Sequence, residues 1–187
     1  MPIDKLRWTV LASLMAALTA VGAYIYVPVG PVPIALTTLF VLLSGLLLGG
    51  RWGLTSMGLY LLVGAIGMPV FAGGRGGFPH FFGPTGGYLF GYALSAWVTG
   101  VVSERSRGLL VVEVLAVIAG AVSIYLVGVP WLKVVTRISW TKALMAGMVP
   151  FLIGDALKAS VALILARAVR PILNRQLQVL TVENRQK

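Results

Sequence analysis

Six runs of mostly apolar residues follow one another along the chain, separated by short segments that hold most of the charges and prolines. They cover residues 8–27, 34–49, 54–72, 88–103, 109–128 and 143–169. A helix needs about 20 mostly apolar residues to cross the hydrocarbon core of a bilayer. The pattern therefore predicts an all-α polytopic membrane protein, in which residues 1–187 form a single bundle of six transmembrane helices.

Prolines mark two of the breaks in this pattern. Residues 28–33 contain three prolines and predict a turn between the first two runs. Pro150 lies inside the sixth run, where a kink is expected because proline removes a helical hydrogen bond. Between the fifth and sixth runs, residues 131–142 combine tryptophan with lysine and arginine, which is typical of a short interfacial segment.

The composition agrees with a membrane protein. Of the 187 residues, 58% are hydrophobic and 11% are charged, whereas soluble domains carry about 25% charged residues. The chain has no cysteine, one histidine and five carboxylates. Thiolate sites are excluded, few side chains could serve as ligands of a metal ion, and no cofactor is expected.

The net charge of +10 is unevenly distributed. With six spans both termini lie on one side of the membrane, and ten lysines and arginines fall on that side against four on the other. The positive-inside rule then places both termini, and a basic tail at residues 170–187, in the cytoplasm of a cell-membrane protein. The excess charge faces anionic lipid, so no nucleic-acid partner is needed to explain it.

The segment between the third and fourth runs, residues 73–87, is the most unusual in composition. Seven glycines and two prolines among fifteen residues exclude a regular helix. The charge counting places this loop on the outward side. Glycine-rich backbone can approach a ligand closely and offer its N–H groups, which makes Gly73, Gly74, Gly76 and Gly86 candidate binding positions. A connector or re-entrant turn explains the composition equally well. His80 is interpreted as an interfacial residue without a chemical role.

The loop is not a phosphate-binding loop, because that motif requires Gly-Lys followed by Ser or Thr. This tripeptide occurs nowhere in the chain. The sequence therefore predicts no ATPase activity, and uphill transport of a solute would draw on an ion gradient or on a partner.

Two opposite charges lie inside the sixth run. Asp155 and Lys158 are three residues apart and share one helix face. Because a charge near the bilayer centre costs about 2.5–3.5 kcal/mol, both must point into the bundle. They form either an ion pair that locks helices together or, as we favour, a site for a polar solute. Glu113, near the cytoplasmic end of the fifth run, is interpreted as a structural residue that reaches the headgroups.

The first run carries small residues at a spacing of four, Ala12, Ala16 and Ala20. Such a stripe allows helices to approach closely. It serves either an internal contact or a docking face for another membrane protein.

Several motifs together resemble the BioY family. They cover nearly the whole chain and are the alanine-rich first run, Pro31-Val32-Pro33-Ile34, Gly67-Met68-Pro69-Val70-Phe71, Gly83-Pro84-Thr85-Gly86-Gly87-Tyr88, and Pro150-Phe151-Leu152 followed by Gly154-Asp155 and Lys158. BioY proteins are the biotin-specific S components of energy-coupling factor (ECF) vitamin transporters.

The resemblance implies a substrate-capture subunit for biotin, without enzymatic activity, with its pocket near the outward face. By this resemblance Asp155, Lys158, Arg75 and Tyr88 bind biotin, and the alanine stripe of the first run docks on a transmembrane coupling subunit, which in turn binds two cytoplasmic ATPase subunits. The chain departs from the family where Arg75 replaces an asparagine and where Thr37 replaces a glutamine.

Three other functions stay open at this point. The first is an S component for another vitamin. The second is an intramembrane enzyme that uses Lys158 as a base or Schiff-base amine beside Asp155. The third is a purely structural helix bundle. Biotin binding, substrate turnover, and the effect of replacing the charged pair distinguish these possibilities.

Overall fold

The computed structural model describes the backbone of residues 3–106 and 108–185, and the side chains of residues 5–106 and 108–173. Its helices are α1 (Ile3–Tyr24), α2 (Thr37–Ala65), α3 (Gly86–Glu104), α4 (Leu110–Thr136), α5 (Trp140–Gly147) and α6 (Leu152–Arg185). Two short strands, β1 (Tyr26–Val27) and β2 (Ile34–Ala35), and 3₁₀ turns at Phe78–Phe82 and Val149–Phe151 connect them. The mostly helical architecture predicted from the hydrophobic runs is confirmed.

Helix α2 covers the second and third hydrophobic runs and folds back on itself at Gly49. The φ of Gly49 is 79° and its ψ is 178°, which interrupts the helix. A Cβ atom added to Gly53 would lie 3.2 Å from the Cα of Gly45, eight residues earlier. Eight residues of straight helix rise about 12 Å, so the two halves of α2 must run side by side in opposite directions. The third run ends at Ala65, seven residues before the predicted limit of residue 72.

Within the described residues, four helical stretches are long and apolar enough to cross a membrane: Lys5–Tyr24, Thr37–Ala65, Leu110–Thr136 and Trp140–Leu173. Helix α3, which corresponds to the predicted fourth run, is not among them. It carries four glycines as well as several hydroxyl groups, and it packs between α2 and α4. A helix enclosed by its neighbours does not need an apolar surface for lipid.

The sixth hydrophobic run is divided rather than kinked. Helix α5 ends at Gly147, Pro150 lies in the 3₁₀ turn Val149–Phe151, and α6 begins at Leu152. The predicted interfacial segment 131–142 is divided as well: α4 continues to Thr136, and α5 begins at Trp140. Arg137, between them, has a left-handed backbone with φ of 55°.

The proline-rich turn and the glycine-rich loop lie at the same end of the bundle. Strands β1 and β2 pair antiparallel, so residues 28–33 form the tip of a hairpin. Gly77 N–H donates to the Gly64 carbonyl over 2.7 Å, and Trp131 Nε1 donates to the Gly83 carbonyl over 3.0 Å. Aromatic contacts within the 3₁₀ turn, such as Phe78 on Phe82 with ring centres 5.4 Å apart, complete the packing. The loop is therefore packed against the bundle.

At the opposite end, Glu113 is buried instead of reaching the headgroups as its place in the sequence suggested. Only 1% of the residue is exposed. Arg167 Nε donates to its carboxylate over 2.7 Å and Arg170 donates to the other oxygen. Arg170 also donates to the Leu46 carbonyl over 2.7 Å and to Ser103 Oγ over 3.1 Å. The carboxylate thus connects α4 and α6, and through Arg170 also α2 and α3.

Most side chains of the predicted basic tail at residues 170–187 are outside the described part of the chain. Helix α6 continues through Pro171, and its backbone extends to Arg185. The side chains of residues 174–187 and the backbone of residues 186–187 are not described.

Candidate solute-binding site

Asp155 and Lys158 lie in the first two turns of α6 and form an ion pair. Lys158 Nζ is 3.0 Å from Asp155 Oδ1, and the two side chains are only 12% and 11% exposed for Asp155 and Lys158, respectively. Asp155 is also close to the N-terminus of the helix, where the helix dipole favours a negative charge. The structure thus pairs the two residues that the sequence places on one helix face.

Two hydroxyl groups from other helices converge on the Asp155 carboxylate. Thr38 Oγ1, at the start of α2, donates to Oδ1 over 3.2 Å. Tyr125 Oη, from α4, donates to Oδ2. An ionised carboxylate has about four acceptor positions. Among the described residues, three donors hold the carboxylate in place, and about one acceptor position is left over.

Two adjoining cavities meet beside this ion pair. The ion-pair cavity contains Asp155 and Lys158. The arginine cavity contains Arg75 and His80. The residues that line both cavities are Val32, Pro33, Ala35, Tyr88 and Tyr92.

Tyr88 lines both cavities with its ring and uses its hydroxyl group for the fold. Tyr88 Oη donates to the Gly147 carbonyl over 2.8 Å, and the residue is 5% exposed. The hydrogen bond joins α3 to the end of α5, immediately before the turn that leads into α6. Lys158 and Arg75 supply charged groups to the two cavities, whereas Tyr88 supplies the apolar face of its ring.

The glycine-rich loop presents Arg75 at the rim of the arginine cavity. Phe71 N–H donates to the Arg75 carbonyl over 2.8 Å and closes a tight turn. Gly73 and Gly74, inside this turn, have φ of 79° and 69°, which favours glycine. Among the residues that line the arginine cavity, the loop contributes Arg75, whose side chain is exposed, together with His80 and Thr85.

The four predicted binding glycines shape the backbone next to the cavities. A Cβ atom on Gly76 would lie 2.1 Å from the Met68 carbonyl oxygen, and one on Gly86 would lie 1.8 Å from the Phe81 carbonyl oxygen. Gly73, Gly74, Gly76 and Gly86 are not among the described residues that line either cavity.

Replacing Gly86 with alanine is expected to lower the melting temperature of the purified protein. Its Cβ atom and the Phe81 carbonyl cannot both keep their positions, and overpacking of this kind costs about 1–3 kcal/mol. Gly58→Ala is the matched control, because nothing lies within 4 Å of its Cβ position and alanine is the better helix former. Equal melting curves for the two variants in the same detergent would contradict the prediction.

His80, interpreted from the sequence as an interfacial residue, lies in the wall of the arginine cavity. Its ring stacks on Phe71 with centres 5.3 Å apart, and its Nε2 atom lies 3.1 Å from Thr85 Oγ1. Burial, and then the positive charge of Arg75, lower the pKa of His80 below its usual value of 6.5. The imidazole is therefore neutral at pH 7.

The alanine stripe of α1 faces the interior, which argues against a free docking surface in this conformation. Ala12 and Ala16 are 1% and 6% exposed. Ala12 packs with Leu48 of α2, and Ala16 packs with Tyr60 of α2. Ala20 is partly buried beside the same cluster as Ala16. Small side chains allow α1 and α2 to approach closely.

Several residues of the site were missed by sequence analysis. Tyr92 lies one helical turn after Tyr88, and this spacing of four could have revealed it. Thr38 follows Thr37, which lines the arginine cavity. Tyr125 and Tyr60 carry no local signal, because they belong to long apolar helices and are brought to the cavities by packing alone.

The fold and the site define a class: helical membrane proteins that enclose a small polar solute between their helices. The model of the BioY family matches residues 2–175, so the chain belongs to the BioY family. A probable biotin transporter BioY of Pyrococcus horikoshii is 39% identical over 166 residues, covering 89% of this chain and 98% of that protein. The biotin transporter BioY of Thermotoga maritima is 38% identical over 167 residues, covering 89% of this chain and 98% of that protein.

A solved structure shares the fold. It is the crystal structure of the S-component for biotin from an ECF-type ABC transporter. Its TM-score is 0.84 at 27% sequence identity, and the match covers 91% of this chain and 94% of that chain.

Proposed function

We propose that this protein is the biotin-binding S component of an ECF-type transporter and that it takes part in biotin uptake. The observation that carries the proposal is a pair of adjoining cavities with charged groups at the two ends and aromatic rings between them. Biotin has a polar ureido head, an apolar thioether ring with a valeryl chain, and a carboxylate. Family membership and the names of the relatives support the same assignment.

The charges favour one orientation of biotin. The ureido head lies at the ion pair, where the free acceptor position of Asp155 takes a ureido N–H and Lys158 donates to the ureido oxygen. The carboxylate lies in the arginine cavity beside Arg75, because it would be repelled by Asp155. Tyr88 and Tyr92 provide the ring faces against which the apolar centre of the ligand packs.

We further propose six membrane spans with both termini in the cytoplasm. The fold-back of α2 at Gly49 supports two spans from that helix, and α1, α3, α4 and α6 supply the others. Contacts also support the sidedness: Arg167 and Arg170 gather around Glu113 at the end of the bundle that holds Gly49. Arg75 belongs to the opposite end, where basic residues are fewer. The positive-inside rule assigns the richer end to the cytoplasm.

The partners that we propose are a transmembrane coupling subunit and, through it, two cytoplasmic ATPase subunits. The absence of a phosphate-binding motif in the sequence is consistent with this, because uphill transport must then draw its energy from a partner or from an ion gradient. The solved structure that shares the fold is itself an S-component of an ECF-type ABC transporter, which supports a multi-subunit assembly for this chain as well.

Substitution of Ala16 tests whether the stripe of α1 contacts that partner. Ala16 packs with Tyr60 and Phe71, which line the arginine cavity. Ala16→Trp is therefore expected to lower both the melting temperature and the biotin affinity. Leu14→Trp is the control, since Leu14 is 50% exposed. If Ala16→Trp bound biotin normally but no longer co-purified with the coupling subunit, the stripe would be a docking face.

Isothermal titration of the detergent-solubilised protein tests the function itself. Biotin is expected to bind with a stoichiometry of one, whereas thiamine and riboflavin give no heat. A flat biotin titration with folded protein would contradict the proposal, and heat from thiamine or riboflavin alone would favour an S component for another vitamin.

A further inference from the structure

The arginine cavity contains a titratable group that the proposed function leaves unused. His80 is half-buried between the ring of Phe71 and the hydroxyl of Thr85. Both of these neighbours also line the cavity. The 3₁₀ turn Phe78–Phe82 that carries His80 packs on α2 and α3, so the imidazole is held at a fixed place in the wall.

Each element next to His80 contributes a charged or titratable group to the cavity wall. The glycine-rich loop contributes Arg75, α2 contributes Tyr60, and α3 contributes Tyr88 and Tyr92. No aspartate or glutamate is among the described residues that line this cavity. Between about pH 5 and pH 8 a histidine is the side chain whose charge changes. His80 is therefore the group that can change the charge of this cavity over that range.

We propose that His80 is a second anion-binding group, which takes up a proton and contributes a positive charge beside Arg75 to hold the carboxylate of the solute. The inference deepens the proposed function and rests on it. It assigns to the binding site a residue that varies its charge with pH, so that the affinity of the site for an anionic solute is coupled to the proton concentration.

The geometry accommodates both protonation states. The Thr85 hydroxyl can donate to Nε2 of a neutral imidazole or accept from Nε2–H of an imidazolium. Protonation therefore requires only rotation of one hydroxyl hydrogen, and it adds a positive charge to a ring whose Nδ1–H is the N–H group left for a ligand. Burial and Arg75 disfavour the proton and lower the pKa of His80 below 6.5. A bound carboxylate opposes both effects, so binding and proton uptake support each other.

The sign of the effect follows. As the pH falls through the pKa of His80, the protonated fraction rises and the affinity for an anion increases. A carboxylic acid of the glutamate type titrates near about 4.3, so the solute stays mostly ionised at about pH 5. The change from a neutral to a charge-assisted hydrogen bond corresponds to an affinity gain of about tenfold.

The experiment is a biotin titration of the wild-type protein, His80→Gln and Arg75→Gln at about pH 5 and about pH 8, the range in which histidine titrates. Biotinamide, in which the carboxylate is replaced by a neutral carboxamide, is titrated in parallel. We expect the wild-type protein to bind biotin about tenfold more tightly at the lower pH and biotinamide equally at both. His80→Gln is expected to lose the pH dependence. Arg75→Gln is expected to bind more weakly at both pH values and to keep the acid enhancement.

Each alternative outcome has a distinct meaning. A pH-independent wild-type affinity for biotin, or an acid enhancement that persists in His80→Gln or with biotinamide, would overturn the inference and leave the proposed function standing. No biotin binding at any pH would overturn the proposed function and this inference with it. Melting curves at both pH values establish that His80→Gln is folded; if it is not, the biotinamide comparison on the wild-type protein still decides.

Discussion

Joint replacement of the charged pair, Asp155→Asn with Lys158→Gln, is expected to remove most of the biotin affinity from a protein that still folds. Both side chains are almost fully buried, and Asp155 also accepts bonds from Thr38 and Tyr125. The asparagine oxygen can still accept from one of these hydroxyls, its NH₂ group can donate to the oxygen of the other, and a glutamine can still bond to the asparagine. The internal hydrogen bonds are thus largely kept, while the charge-assisted bonds to the ligand are lost.

The expected magnitude follows from those lost bonds. A hydrogen bond to a charged group contributes about 1.5–3 kcal/mol. Two such bonds from the ion pair to the ureido head therefore correspond to at least a hundredfold weaker binding, since about 1.4 kcal/mol is a factor of ten. Biotin titration and thermal unfolding are measured on the same preparation. Lys142→Gln, at an exposed position outside both cavities, controls for loss of one positive charge.

The single variants serve a different purpose. Asp155→Asn alone leaves Lys158 without its nearest counter-charge, and Lys158→Gln alone leaves the carboxylate charge uncompensated. Removing one partner of a buried pair destabilises by about 3–5 kcal/mol. The single variants are therefore expected to melt at lower temperatures than the double variant. If the well-folded double variant kept wild-type affinity, the pair would be structural, and the binding site would have to lie at Arg75 and the glycine-rich loop.

Hydrophobic runs predicted the helical regions because every backbone group of a lipid-facing segment must find its partner within a helix. The same reasoning could not locate their ends. The fold-back at Gly49 depends on a positive φ and on contacts between Gly45 and Gly53, which involve no apolar periodicity. The break at Pro150 was expected as a kink, yet proline is equally compatible with a 3₁₀ turn between two helices.

For the site, the sequence revealed the groups that share one helix and missed those that come from others. The spacing of Asp155 and Lys158 determines their common face. Their further partner Tyr125 is 30 residues away, and Thr38 is 117 residues away. These contacts depend on the packing of α2 and α4 against α6. Family resemblance supplied Arg75 and Tyr88, but it did not indicate that the Tyr88 hydroxyl is bound to Gly147.

Glu113 illustrates the same limit at the end of the bundle opposite the cavities and leads to the second large effect. From its position near the end of an apolar run, a carboxylate is expected to reach the headgroups. In the structure its side chain is 2% exposed and lies between two arginines. Arg167 and Arg170 belong to α6 and are 54 and 57 residues away in the chain. Only the packing of α4 against α6 brings them together.

Glu113→Gln is expected to destabilise the fold by about 3 kcal/mol, at the lower end of the range for a broken buried pair. The glutamine keeps the size of the side chain but removes the negative charge, and its NH₂ group faces a guanidinium that can only donate. The lower end applies because the side chains of Arg167 and Arg170 are 41% and 26% exposed, so that solvent or headgroups compensate part of their charge.

Thermal unfolding of Glu113→Gln, compared with Glu104→Gln, measures this effect. Glu104 is exposed and accepts one bond, from Gly50 N–H over 2.9 Å, which an amide oxygen can accept as well. Glu104→Gln is therefore expected to melt close to the wild-type temperature and Glu113→Gln well below it. Because the network lies at the end of the bundle opposite the cavities, the folded fraction of both variants is expected to bind biotin with wild-type affinity. If instead Glu113→Gln melted like Glu104→Gln, solvent or lipid headgroups would compensate the charges of the two arginines. The Glu113 carboxylate would then not be required to hold α2, α4 and α6 together.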